Sequence, residues 1–401
     1  MKILLVSPWY PDPPDNGAKL RLSNLLSALC GRHRVSLIAA HDPGHPPSSK
    51  LRKPLTVCEK VVSVPWIPRP RQGVWRILSY LWSRPEWVFP ALSSRMEKVV
   101  CDQLRSEDYD LIIGYHLSTA HSLLAQTMVP KMLEEIQLAG YLDSVETDSV
   151  LRRARRRVFA WKLRRALRSL LRRVTACTVP SVAERDLLIQ FVPQAPPVAV
   201  IPNCLDPHRY QGFSADPQPH TLIFTGALTF QANRDAVQFF LQSIYPLIKR
   251  DLPQVRLCIT GRRDGVSLPL IEDDQTVRMT GFVDDVRPFI AGSWVSIVPL
   301  LTGGGTRYKI LEAMALGTPV VSTSKGAEGL RARPGNHLLI ADRPERFAAA
   351  VVQLCEDPAL RARLSTAGRH LVAEHYTWQS TAPRYLDWVE RAALDGAAQV
   401  D

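Results

Sequence analysis

Residues 301–330 read LTGGGTRYKILEAMALGTPVVSTSKGAEGL. The run just before them, Ser296-Ile297-Val298-Pro299-Leu300, is apolar and has the composition of a buried strand. Three glycines follow. Residues 306–316 then place Ile310, Leu311, Met314 and Ala315 at helical spacing. Gly317 and Pro319 stop that helix, and Val320-Val321-Ser322 is the next strand. Strand, glycine turn, helix and strand in succession form the repeating unit of a parallel α/β sheet.

The start of this helix is electrostatically unusual. Thr306 is its expected N-cap, and a capping box would then put Glu or Gln at 309. Arg307 and Lys309 stand there instead. Cations at a helix N-terminus oppose the macrodipole by roughly 0.3–1 kcal/mol each. An anion held between them would reverse that cost, and the glycines would let backbone N–H groups approach it closely. A phosphate or pyrophosphate is the natural candidate. Glu312, one turn on, would reach hydroxyls of the same ligand, as a carboxylate reading a ribose does. The plainer alternative is a surface Lys309–Glu312 pair above an ordinary glycine turn.

A chain of 401 residues predicts two domains. No apolar run approaches the ~20 residues of a membrane span, and residues 1–8 read as a first strand. The seven cysteines are scattered, with no C-x-x-C pair, which suits a reducing cytoplasm and predicts no metal site. The formal net charge of +12 is concentrated in residues 151–173, which hold ten Arg, one Lys and no acid. Val158, Phe159, Leu163, Ala166, Leu167, Leu170 and Leu171 give this stretch the period of an amphipathic helix. Its basic face is either solvated or laid on an anionic lipid surface, which would make the protein peripheral on the inner face of the membrane. No nucleic-acid partner is expected.

In the first half, strands are expected at 2–7, 34–39, 57–64, 110–114, 138–142 and 175–179. Helices are expected at 18–29, 91–105 and 182–190. The first loop, YPDPPDNG, ends at Gly17 and is not G-x-G-x-x-G, so a dinucleotide site is disfavoured. Residues 65–90 are rich in Trp, Pro and Arg and read as a packed irregular segment or an interface. His116 follows the strand at 110–114 and Asp143 the one at 138–142, where ligands of open α/β sheets bind. A lone histidine is as often structural, and both readings of His116 stay open. The boundary is placed at 205/206. Strands at 221–226, 255–261, 277–282 and 295–300 and helices at 236–249, 284–291, 344–355 and 358–375 fill a second domain, 206–376. A final helix, 377–393, is expected to pack back on the first domain, 1–205, with a frayed tail to 401.

Several local patterns together resemble the retaining glycosyltransferase family 4 of the GT-B fold. Val200-Ile201-Pro202-Asn203-Cys204-Leu205-Asp206 is similar to its I-P-N-G-V-D linker, Val179-Pro180-Ser181 to the segment before its sensing helix, and Phe224-Thr225-Gly226 to the first strand and glycine of its C-terminal domain. Thr280-Gly281-Phe282-Val283 resembles its base-contacting loop, and 311–321, LEAMALGTPVV, its L-E-A-M-A-x-G-x-P-V-V run. The resemblance implies an α/β chain of two Rossmann-like domains facing across a cleft. It implies transfer of a sugar from a nucleotide-diphosphate sugar to a sugar or lipid-linked acceptor, without cofactor or metal, in surface polysaccharide or glycolipid synthesis. Carried onto this chain, the donor would be held by Gly226, Arg234, Phe282, Val283, Gly303, Gly304, Gly305, Thr306 and Glu312. His116, Arg307 and Lys309 would serve catalysis, with Gly17 and Asp143 on the acceptor side. The chain departs from the family where E-x7-E would put a first Glu eight residues before Glu312: Gly304 stands there. It lacks the usual Arg after Gly226, where Ala227 stands, and Arg307 and Lys309 could supply that charge. Rival readings are a nucleotide-sugar epimerase or hydrolase of the same fold, and a catalytically degenerate membrane-binding protein.

Overall fold

The computed structural model describes all residues except 15, 45, 48–53, 67–93, 120–122, 124–127, 143–149, 214, 267–273, 304–306 and 398–401, and omits the side chains of 94 and 150–156. The segment at 67–93 that holds most of the Trp- and Pro-rich stretch therefore lies outside the described residues. The chain divides into two compact units: Met1–Pro202 with Ala382–Asp401, and Asn203–Thr381.

The first unit is built on a seven-stranded parallel sheet, in the order β3-β2-β1-β4-β5-β6-β7. Its strands are β1 (Lys2–Ser7), β2 (Arg34–His41), β3 (Lys60–Pro65), β4 (Leu111–Tyr115), β5 (Lys131–Glu134), β6 (Ala176–Val179) and β7 (Val198–Val200). The central strands are apolar on both faces, as a sheet covered by helices on both sides requires, and Ile3–Val6 and Leu111–Ile113 are buried. Helices α1 (Gly17–Cys30), α2 (Ser94–Ser106), α3 (Ala139–Leu142), α4 (Val150–Leu171) and α5 (Val182–Phe191) follow in chain order. α4 buries Leu163, Ala166, Leu167 and Leu170 in the core and leaves Trp161 and Arg165 outside.

One expectation fails here. Residues 138–142 do not form a strand: Ala139–Leu142 is a turn of helix, and the strand lies earlier, at Lys131–Glu134. Two consecutive acids, Glu134 and Glu135, disguised it. Glu134 sits inside the protein because a buried arginine neutralises it.

The second unit has a six-stranded parallel sheet, β10-β9-β8-β11-β12-β13. Its strands are β8 (Gln218–Thr225), β9 (Arg256–Thr260), β10 (Val277–Gly281), β11 (Ser293–Val298), β12 (Val320–Ser322) and β13 (Leu339–Ile340). Helices α6 (Gln231–Phe239), α7 (Tyr245–Asp251), α8 (Arg287–Ala291), α9 (Tyr308–Leu316), α10 (Pro344–Glu356) and α11 (Pro358–His375) cover it. A π-helical turn, Phe240–Ile244, joins α6 to α7. The long helix α12 (Trp378–Ala397) begins in the second unit and passes into the first at Ala382. There Thr175 donates to the Ala392 carbonyl at 3.1 Å, and Arg384 donates to the Val200 carbonyl at 2.8 Å. Among the described residues, no helix is long and apolar enough to cross a membrane.

Candidate functional site

The second sheet reverses its strand order between β8 and β11, the place where open α/β sheets hold ligands beyond their strand C-termini. β8 turns at Gly226, whose φ of 143° lies outside the range of side-chain-bearing residues. A Cβ there would lie 2.7 Å from Asn233 Nδ2 and 3.0 Å from Lys309 Nζ. β11 runs on to Gly303, φ 96°, and then into α9. Gly304, Gly305 and Thr306 lie outside the described residues.

α9 starts at Tyr308, two residues later than the sequence suggested, and Arg307 is its N-cap residue. The Arg307 side chain does not cap the helix; it turns back and donates from Nη2 to the Gly303 carbonyl at 2.6 Å. Lys309, the second helical residue, points inward. Its Nζ donates to Asn233 Oδ1 at 2.9 Å and stands 4.1 Å from the Phe224 ring centroid. The surface pair with Glu312 does not form: Glu312 Oε1 accepts from the Tyr210 hydroxyl at 2.9 Å. Phe282 is half-exposed after β10, with the Arg262 guanidinium 5.6 Å from its ring centroid and Val283 beside it in sequence. Arg234 is tied to Gln231 on its own helix, so the α6 residue brought to Gly226 is Asn233.

Burial, and secondarily Arg307, pushes the Lys309 ammonium down to about 7, with Glu312 pulling the other way. Burial raises the Glu312 carboxyl, opposed by the Tyr210 hydrogen bond, Arg209 and Lys309. A cation whose pKa is lowered by burial and by a neighbouring arginine is suited to receive an anion. This gives a pH prediction. Below pH ~7 Lys309 is charged in the empty site and affinity for a diphosphate ligand is flat. Above pH ~7 the empty site loses its proton and binding must restore it, so the apparent Kd rises by up to about tenfold per pH unit. Calorimetry at pH 8 in buffers of different ionisation enthalpy should show close to one proton taken up. A pH-independent Kd from 6 to 9 would contradict it.

In the first unit the order reverses between β1 and β4, and His116 follows β4. His116 has φ 69°, a left-handed conformation that costs a non-glycine residue energy, and Glu135 after β5 has φ 61°. The His116 backbone N–H donates to the Glu134 carbonyl at 2.8 Å, which ties the two strand ends together. Its Nδ1 accepts from the Ser118 N–H at 3.3 Å, so Nε2 carries the proton in the neutral ring. Burial lowers this imidazole to about 4, so it is uncharged at neutral pH. Trp9 packs on it at 5.1 Å between centroids. Gly17 is the first residue of α1, capped by Asn16, whose side chain accepts from the Lys19 N–H at 3.0 Å. Below this, Arg21 donates to Glu134 at 2.7 Å, both side chains fully buried, and Thr178 donates to the second Glu134 oxygen at 2.6 Å. Asp143 lies outside the described residues. Sequence reading missed Asn233 as the partner of Lys309, and missed Tyr210 and the Arg21–Glu134 pair. Those contacts join residues 76, 102 and 113 positions apart, and only the acids in β5 hinted at one of them.

Residues 16–204 match the glycosyl transferase 4-like domain, and residues 219–357 match glycosyl transferases group 1. The two matched segments fall one in each unit, and with the two parallel sheets they are consistent with the GT-B fold of glycosyltransferases. Among curated proteins it is 26% identical over 180 residues to an uncharacterized 44.6 kDa protein in the cps region of Klebsiella pneumoniae, covering 43% of this chain and 46% of that one. It is 35% identical over 112 residues to a lipopolysaccharide core biosynthesis glycosyltransferase of Rhizobium meliloti (strain 1021), covering 27% and 33%. The chain thus spans less than half the length of these relatives. Among solved structures, Anabaena Alr3699/HepE in complex with UDP-glucose superposes with a TM-score of 0.67 at 15% identity, covering 98% of this chain and 100% of that one.

Proposed function

We propose that the protein transfers a sugar from a nucleoside-diphosphate sugar to a sugar or lipid-linked acceptor, with retention at the anomeric carbon and without a metal, in the making of a surface polysaccharide or glycolipid. The observation that carries this reading is Lys309: a part-buried lysine with no ion pair among the described residues, its ammonium packed with Asn233 where a Cβ on Gly226 would lie, at the switch point of the second sheet. The donor diphosphate lies over Gly226 and the start of α9. Lys309 and Arg307 meet the negative charge that grows on it as the bond to the sugar breaks. Glu312 accepts from the ribose, and Phe282 with Val283 borders the base. The acceptor oxygen attacks the anomeric carbon on the face the diphosphate leaves, and its proton passes to the departing phosphate oxygen. His116, neutral at pH 7, acts by hydrogen bonding from Nε2 on the acceptor side with Gly17. Presenting UDP-, GDP- and TDP-sugars with extracted glycan or lipid acceptors should give a product with the donor's anomeric configuration. An epimerised or hydrolysed donor with no transfer to any acceptor would overturn the reading.

The same reading gives α4 an anionic lipid surface as partner. An open groove of about 530 Å³ on its outer side is lined by Trp161 and by Arg164, Arg165, Arg168, Arg172 and Arg173. Trp161 is 57% exposed, and none of these arginines makes an ion pair among the described residues. Basic residues beside an anionic bilayer contribute about 1 kcal/mol each. Replacing the five arginines with Gln should lower partition onto phosphatidylglycerol vesicles at least tenfold at low salt and leave the melting temperature near its original value. An unchanged, salt-insensitive partition would refute the lipid contact.

A further inference from the structure

We propose that Tyr210 is the positioning residue for ribose recognition: its hydroxyl holds one oxygen of Glu312 and leaves the other for a ribose hydroxyl. The inference rests on the donor reading above and names a residue that this reading does not use.

Tyr210 Oη donates to Glu312 Oε1 at 2.9 Å across 102 residues of sequence, so the contact is made by the fold and not by local chain geometry. Glu312 Oε2 has no protein donor among the described residues. The tyrosine ring is buried in the core of the second unit with Leu205, and this packing would be equally satisfied by phenylalanine. The hydroxyl therefore adds one thing, the bond to Glu312.

Which of the two partners is the fixed one follows from the turn that carries Tyr210. Asp206 accepts from the His208 N–H at 3.1 Å and caps the short helix Pro207–Arg209, which Pro207 stiffens at its first position. Arg287 donates to the Arg209 carbonyl, is held by Asp285 at 2.7 Å, and lies 5.2 Å from the centroid of Phe213. The turn is thus tied down on both sides of Tyr210. Glu312 is a long side chain with several rotamers on the ligand side of α9. A glutamate left free would lose that rotamer freedom each time a ribose bound; one already held does not. The groups facing Glu312 are Tyr210 and Arg209 from the turn, Lys309 from its own helix, and Asp285 from the loop before α8. The Tyr210 hydrogen bond is the strongest of the influences that keep the carboxyl ionised against its burial.

Tyr210→Phe separates this role from a structural one. The expected result is a rise of about tenfold in donor KM with kcat changed by less than twofold, as for loss of a hydrogen bond to a charged group. Calorimetry with UDP and GDP and their 2′-deoxy and 3′-deoxy forms gives the second readout. The wild type should bind at least one deoxy form about tenfold more weakly, and in Tyr210→Phe that penalty should shrink several-fold. The acid limb of kcat/KM should also move to higher pH in the variant, because Glu312 loses the donor that held it charged. An unshifted acid limb with the deoxy penalty intact in Tyr210→Phe overturns the proposal, as does a fall in kcat and melting temperature with KM unchanged. A wild type that binds ribose and deoxyribose forms alike, while still transferring sugar, overturns it through Glu312 and leaves the transferase reading standing. Binding of none of UDP, GDP and TDP removes both.

Discussion

Lys309→Ala is expected to lower kcat/KM for sugar transfer by at least about 100-fold, or ~2.7 kcal/mol. The size follows from where the charge sits. Removing one preorganised donor from a water-poor site that stabilises a developing anion commonly costs 10²–10³ in rate. Lys309 is part-buried, with its ammonium aligned by Asn233 at 2.9 Å and 3.0 Å from where a Cβ on Gly226 would lie. It is therefore in place before the donor arrives. Arg307→Ala should cost less, about tenfold, because part of that guanidinium is spent on the Gly303 carbonyl at 2.6 Å. The loss in Lys309→Ala should fall mainly on kcat, since the diphosphate carries more charge as a leaving group than in the intact donor. Steady-state kinetics of both variants at pH 6.5, below the Lys309 pKa, make the comparison. Equal and small losses would mean that the diphosphate is held elsewhere.

Arg21→Met should destabilise the first unit by about 3–5 kcal/mol, the usual cost of stranding one member of a buried ion pair. Both Arg21 and Glu134 have 0% side-chain exposure and meet at 2.7 Å. Thr178 holds the second Glu134 oxygen at 2.6 Å, so the carboxylate cannot rotate away to find water. Without the arginine it must either stay charged in an apolar setting or take up a proton. Replacing both residues together, Arg21→Met with Glu134→Leu, should recover only part of the loss, because Glu135 Oε2, 4.0 Å from Arg21 Nε, still loses its cation. Urea unfolding followed for the single and double variants checks this. A single variant as stable as the wild type would show that the pair is not the charge balance of this core.

The parallel α/β character of both halves was legible because it is written in short-range patterns. The strand 320–322 and the helix 358–375 were read to the residue, since apolar runs, Gly317 and the prolines mark their ends. The lysine on α9 was legible for an electrostatic reason: it stands where a helix does not want a cation. What it bonds to was not, because Asn233 lies on another helix and nothing local distinguishes it from Arg234 beside it. β5 was hidden by its own acids, whose burial makes sense only with Arg21 in view. The start of α9 was misplaced by two residues because Thr306 is a better cap by type than Arg307, and only the structure shows the arginine side chain turning back to the Gly303 carbonyl.

The far half of α12 has a practical corollary for anyone recombining such proteins. Tyr385 lies against the Arg21–Glu134 pair, Val389 is fully buried, and a Cβ on Gly396 would strike Pro130 at 2.5 Å. A fragment cut after Pro202 would thus leave part of its own interior behind at the other end of the gene. Swapping the first unit between relatives calls for two splice points, one near residue 202 and one near 382, with the tail travelling alongside the head.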